Sequence, residues 1–315
     1  MSYAFDPELA AAIALMPDVP LDDLPAVRAM QAVFGAGPAS ASGASDVTFT
    51  DAMAPGPAGA PDVLLRVYRP ADAPDEPLPA VYDIHGGGFI LGSVEVSHEG
   101  TLEMCRALGA VVASVDYRLA PEDPYPAGVE DCYAGLAWFA AEADRFGVDP
   151  ARIVLHGASA GGGLAAGTAL LARDRGGPSV LFQYLAMPEL DDRLDTPSMR
   201  AFTDTPVWDR GKAAISWDAY LGPGRRGGAD VPVYAAPARA TDLRGLPPAY
   251  ISVMEFDPLR DEGIAYAQAL LGAGVSTELH LLPGTFHGSQ MVRDAAVTRR
   301  EKAERVAVLR RVLHG

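Results

Sequence analysis

Residues 153–162 run Ile153-Val154-Leu155-His156-Gly157-Ala158-Ser159-Ala160-Gly161-Gly162. The apolar opening reads as a short buried strand and the run after Gly161 as a helix, so the serine stands on the turn between them. In a G-x-S-x-G at such a junction, small residues two before and two after the serine let the chain fold back on itself. The turn is strained and projects the hydroxyl beyond the sheet. It also sets the N–H of Ala160 at a helix N-terminus, where developing negative charge is stabilised. Residues 153–172 carry no Asp, Glu, Lys or Arg, but their glycines and serine divide them into strand, turn and buried helix rather than a membrane span.

Working outward, strand-like runs at 47–50, 63–68, 80–84 and 110–115 precede this turn, with a helical segment at 97–108 between the last two, which is the pattern of a parallel βαβ crossover. The rhythm repeats: helix 127–143, strand 153–155, the helix after Gly161, strands 179–185 and 249–253, helix 263–271 and strand 277–282. This is α/β with a mostly parallel central sheet and helices on both faces. Two stretches break the rhythm. Residues 1–40 read as helices without a strand, and 188–230 is a long insertion at the C-terminal edge of the sheet, where insertions cover sites. The expected organisation is N-terminal cap helices at 1–45, a first core segment at 46–187, a cap insertion at 188–230 and a second core segment at 231–315.

The 315 residues are 49% hydrophobic and carry 25 Lys+Arg against 41 Asp+Glu, a net charge of −16. Such a chain buries a full core and is not drawn to nucleic acid or anionic lipid. The two cysteines, Cys105 and Cys132, lack disulfide-framework and metal-ligand spacing and read as reduced thiols; no metal or cofactor is expected. The N-terminus has no basic region before its short apolar run, so a soluble, cytoplasmic protein is expected, with no membrane partner. A homodimer through the last strand is open to it.

A second signal is His85-Gly86-Gly87-Gly88, directly after the strand at 80–84. Three glycines in a row are entropically costly, and a loop that keeps them needs bare amides close to another group. The N–H groups of Gly87 and Gly88, with that of Ala160, suit an oxyanion hole. His85 reads as ordering this loop by hydrogen bonding.

With these residues in view, the chain resembles the hormone-sensitive-lipase-like family of α/β-hydrolases, the bacterial type IV carboxylesterases. The resemblance rests on His85-Gly86-Gly87-Gly88-Phe89, Asp116-Tyr117-Arg118-Leu119-Ala120-Pro121-Glu122, Gly157-Ala158-Ser159-Ala160-Gly161-Gly162, Asp257-Pro258-Leu259-Arg260-Asp261-Glu262-Gly263 and Phe286-His287-Gly288. Ala158 departs from the acidic residue or Thr that many relatives carry there. That leaves the triad untouched and bears on subfamily.

The resemblance implies an α/β-hydrolase fold and the chain order nucleophile, acid, histidine on successive strand ends. Asp257 fits the acid, since it follows the strand at 249–253 and precedes Pro258, which holds it in a loop. Glu255 and Asp261 compete from either side. Among six histidines, His280 lies within a strand, His156 precedes the turn on a buried strand, His98 and His314 lie in helical contexts, and His287 follows the last strand. The candidate triad is therefore Ser159, His287 and Asp257. Phe34, Phe89, Trp208 and Trp217 are candidates for lining the pocket. Arg118 reads as satisfying buried carbonyls or a carboxylate, and Asp191-Asp192-Arg193 as a solvated turn.

Three functions are weighed. The first is a serine carboxylesterase acting on small-molecule esters of short to medium acyl chains through an acyl-enzyme, with metabolite deacetylation as a special case. The second is an amidase or carbamate hydrolase with the same triad. The third is a non-catalytic small-molecule receptor, against which the retained His287 argues.

Overall fold

The computed structural model describes residues 3–16, 20–21, 23–35 and 46–315. Eight strands form one sheet: β1 (Val47–Ala54), β2 (Val63–Pro70), β3 (Leu78–Ile84), β4 (Val111–Asp116), β5 (Val148–Ala158), β6 (Phe182–Ala186), β7 (Ala249–Phe256) and β8 (Thr277–Phe286), in spatial order β1-β2-β4-β3-β5-β6-β7-β8. β2 runs antiparallel to both β1 and β4, and every other pairing is parallel. The central strands are apolar on both sides because helices cover both faces. Along β3, Ala80, Tyr82 and Ile84 enter one apolar cluster while Val81 enters the other; along β5, Ile153 and Leu155 alternate with Val154 in the same way.

The first cluster is completed by α4 (Ala127–Ala141), α5 (Ala160–Arg175) and α8 (Arg260–Gly272), and the second by α3 (Val94–Leu108) and α9 (Ala296–His314). The sequence reading gave α9 no bounds and noted only a helical context at His314. Its apolar residues are sparse among arginines and glutamates, and only Val297, Val308, Leu309 and Leu313 are buried as its contribution to the core. Of the short helices before β1, α1 (Pro7–Ile13) seats Leu9 in the second cluster and α2 (Leu24–Gly35) lies on α3. α6 (Pro197–Ala201) and α7 (Arg210–Leu221) interrupt the sheet between β6 and β7. None of the described helices is long and apolar enough to cross a membrane.

Two local readings are corrected. The last strand was read as ending at 282, yet β8 continues to Phe286, with a register shift opposite Met254 and Phe256. Gly284 inside that irregularity is held from two sides, donating its N–H to Glu255 Oε2 (2.6 Å) and accepting from Asp6 N (2.9 Å). Asp191 and Asp192 are not solvated. Asp192 is 0% exposed and accepts from Arg239 Nε (2.5 Å), Arg239 Nη2 (2.9 Å) and Gly227 N (2.7 Å), while Asp191 is buried and pairs with Arg193. The partner that makes burial tolerable stands 47 positions away, out of reach of any local reading. Removing the Asp192 carboxylate would leave the Arg239 guanidinium, 14% exposed, without its counter-charge. Asp192→Ala is therefore expected to cost about 3 kcal/mol of unfolding free energy in a urea titration; a loss below about 0.5 kcal/mol would make the pair dispensable.

Candidate active site

Ser159 stands between the last residue of β5 and the first of α5 with φ 58° and ψ −126°. A positive φ on a residue with a Cβ costs about 1–3 kcal/mol and persists only where neighbours over-determine it. Here Ser159 N donates to Ala186 O at the end of β6 (2.9 Å), and Ser159 O accepts from Gly162 N (2.9 Å), Gly163 N (3.1 Å) and Glu189 N (3.0 Å). The small residues are sterically required: a Cβ at Gly157 would stand 2.1 Å from Gly161 O, and one at Gly161 would stand 2.1 Å from Ile84 O.

Asp257 and His287 come to this serine from neighbouring strand ends, each one residue beyond its strand, β7 and β8. His287 Nε2 lies 2.9 Å from Ser159 Oγ and Nδ1 lies 2.7 Å from Asp257 Oδ2. The other oxygen, Asp257 Oδ1, accepts from Leu259 N (2.9 Å). An ionised carboxylate only accepts, so the imidazole proton sits on Nδ1 and Nε2 presents a lone pair to the serine hydroxyl. Asp257 is completely buried and His287 nearly so, which shields this chain of hydrogen bonds from water. Of the competing acids, Glu255 is held by Gly284 and Asp261 accepts from Ser198 N (2.7 Å). The remaining histidines are engaged elsewhere: His156 with Asp83, His98 with Tyr68, His280 with Glu304 and His314 with Leu108 O.

Opposite the serine, the loop after β3 is held through its carbonyls. His85, stacked on Tyr117 at 4.3 Å, is kept below the usual imidazole range by burial; as a neutral ring it donates Nδ1–H to Gly86 O (2.9 Å). Gly87 O accepts from Leu91 N (2.8 Å) and Ile90 N (3.1 Å), and Gly88 O accepts from Ser216 Oγ (2.9 Å). In a trans peptide the N–H points opposite the C=O, so tethering Gly86 O and Gly87 O turns the amides of Gly87 and Gly88 the other way. Neither amide has a protein acceptor among the described residues. Gly88 has φ 58°, and a Cβ there would meet Trp208 Cη2 at 2.5 Å. Ala160, the first residue of α5, carries one of the helix's unpaired N-terminal donors.

The expected pocket residues separate. Trp208 lies at the site, against Gly88 and with its ring 5.8 Å from that of His287. Phe89 and Trp217 are closed off instead: Phe89 stacks on Tyr220 at 4.1 Å and tilts against Trp217 at 5.2 Å, so these rings seal the glycine loop after β3 to α7. Phe34 is on α2, and its side chain lies outside the described residues. Arg118 makes the paired contact with Asp131 (2.7 and 2.8 Å) that its position suggested. Both cysteines are buried and unlinked, and the described residues hold no cluster of metal-ligating side chains.

One contributor escaped the sequence reading. Glu189, three residues beyond β6, is fully buried beside the elbow, and its Oε1 lies 3.0 Å from Ser216 Oγ on α7. The local signal was Pro188 followed by an acid at a strand's C-terminal edge, the same cue that marked Asp257 in mirror order. Among 41 acids that cue alone does not select it.

A family model described as alpha/beta hydrolase fold matches residues 72–291. Esterase LipI of Mycobacterium tuberculosis is 41% identical over 278 residues, covering 86% of this chain and 84% of that protein. Carboxylesterase NlhH of the same species is 43% identical over 267 residues, covering 81% and 80% respectively. Among solved structures, a bacterial heroin esterase superposes with a TM-score of 0.95 at 50% identity over 99% of both chains.

Proposed function

The chain belongs to the α/β-hydrolase family, and from that membership we propose that it is a serine carboxylesterase working through Ser159, His287 and Asp257. The observation that carries the reading is the unbroken hydrogen-bond chain from Asp257 through His287 to Ser159. His287 Nε2 takes the hydroxyl proton as Ser159 Oγ attacks the ester carbonyl, and Asp257 stabilises the imidazolium that forms. The oxyanion is held by the N–H groups of Gly87, Gly88 and Ala160. His287 then gives its proton to the departing alkoxide, leaving an acyl-serine. Water, deprotonated by the same imidazole, releases the acid and restores Ser159.

The substrates are small-molecule esters with short to medium acyl chains. Trp208 supports the short end of that range, because its ring occupies the space beside Gly88 that a bulky acyl group would need. α2 and the insertion carrying α6 and α7 are proposed as the cap, with Ser216 and Trp217 of α7 seated on the oxyanion loop.

The test is a series of p-nitrophenyl esters from acetate upward, run beside matched anilides. Acetate and butyrate esters are expected to exceed longer chains in kcat/KM by about 10-fold or more and to exceed their anilides by about 100-fold or more. Preference for the anilides would replace the reading with an amidase, and labelling of Ser159 without turnover would replace it with a receptor.

A further inference from the structure

Ser216 Oγ sits between two oxygens, Gly88 O at 2.9 Å and Glu189 Oε1 at 3.0 Å. A hydroxyl has one hydrogen, and a backbone carbonyl only accepts. Were Glu189 ionised, both neighbours would be acceptors competing for that one hydrogen, and one buried contact would be left without a proton between its oxygens. A protonated Glu189 removes the conflict by donating to Ser216 Oγ, which frees the Ser216 hydrogen for Gly88 O. We propose that Glu189 is a positioning residue held as the neutral acid, and that the relay Glu189 O–H to Ser216 O–H to Gly88 C=O fixes the oxyanion loop against α7. This rests on the esterase reading above and deepens it.

The surroundings agree. Glu189 is fully buried, its Oε2 has no hydrogen-bond partner, and no cation among the described residues pairs with it. An unpartnered oxygen is far less costly on a neutral acid than on a carboxylate. Burial, opposed by the Ser216 contact and aided by the nearby Asp257 charge, pushes its carboxyl up to about 8. The charged and titratable groups that face it are Asp257 after β7, Glu262 on α8 and the Tyr117 phenol after β4, none of them a cation, while α7 supplies Ser216. The backbone of the same residue also serves the site, since Glu189 N holds Ser159 O, the carbonyl of the peptide whose N–H belongs to Ala160. One residue thus tethers peptides on both sides of the place where an oxyanion forms. A neutral side chain there adds no charge against that anion.

The sign of the pH effect follows. The acid is protonated below about 8 and loses its proton as pH rises through that value. Deprotonation then draws the Ser216 hydrogen away from Gly88 O and sets a negative charge beside the oxyanion site, so kcat falls. The experiment measures kcat and KM for p-nitrophenyl acetate from about pH 6 to about pH 10, with spontaneous hydrolysis subtracted, on the full chain and on Glu189→Gln, Glu189→Ala and Ser216→Ala. The Gln side chain donates an N–H to Ser216 at every pH. Glu189→Gln is expected to keep kcat within about 3-fold at neutral pH and to lack the alkaline fall, whereas Glu189→Ala and Ser216→Ala lose about 10-fold in kcat with KM changed less than about 2-fold. Glu189→Gln as impaired as Glu189→Ala, an alkaline limb shared unchanged by wild type and Glu189→Gln, or full kcat in Ser216→Ala would each overturn the proposal. Ser216→Ala keeps the test decisive should Glu189→Gln not fold. Any of those results with an ester-active wild type defeats this inference alone; a wild type inert toward esters defeats the esterase reading instead.

Discussion

Ser159→Ala is expected to lower kcat for ester hydrolysis by about 10⁶ while leaving the fold and its thermal midpoint unchanged. The variant removes one oxygen, the atom 2.9 Å from His287 Nε2, and alanine retains the Cβ that already tolerates φ 58° in this turn. What survives is the contribution of the oxyanion amides and of binding, worth about 10³–10⁴ over water in hydrolases built this way. Stopped-flow kinetics supply a second reading: the wild type should show a burst of released alcohol from acylation, and Ser159→Ala none. Turnover within about 100-fold of wild type, with the burst intact, would place the nucleophile elsewhere.

The second large effect is a loss of about 10⁴ in kcat for Asp257→Asn, and here the local hydrogen bonding decides the direction. Asp257 Oδ1 accepts from Leu259 N and Oδ2 faces His287 Nδ1. An asparagine in this place must turn its oxygen to the Leu259 N–H, because an NH₂ group cannot accept there. Its NH₂ is then left facing the imidazole. His287 Nδ1 becomes the acceptor, the ring proton moves to Nε2, and the nitrogen facing Ser159 loses the lone pair that must take the serine proton. Steady-state kinetics would measure the loss, and solution NMR of the ring nitrogens would report the changed tautomer. A loss below about 10-fold would mean that Asp257 orients nothing the reaction needs.

The features that were readable before any coordinates are those in which the backbone itself dictates composition. Gly157 and Gly161 are small because each would otherwise strike a carbonyl oxygen at 2.1 Å, and Gly88 because Trp208 lies where a Cβ would go. Such constraints leave a local signature. The succession of strand-like runs along the chain, the elbow between β5 and α5, and the placement of His287 after the last strand were also legible in the sequence.

The unreadable features depend on long-range pairing. Asp192 is buried because Arg239 returns to meet it, and Glu189 is significant because Ser216 arrives from an inserted helix. In a chain with 41 acids, nothing in the neighbourhood of either residue sets it apart. Phe89 and Trp217 are a different case. Their aromatic character suggested contact with a ligand, and in the folded protein it serves packing between a loop and a helix.

The hydrogen-bond chain described above spans 128 residues between serine and histidine but only 30 between histidine and acid. Its last member is made after the other two, and the strand just before it rests on a helix made later still, α9. A polypeptide that reaches past residue 159 but stops short of residue 287 carries the hydroxyl without the base, and so lacks the hydrogen-bond chain on which the proposed ester cleavage depends.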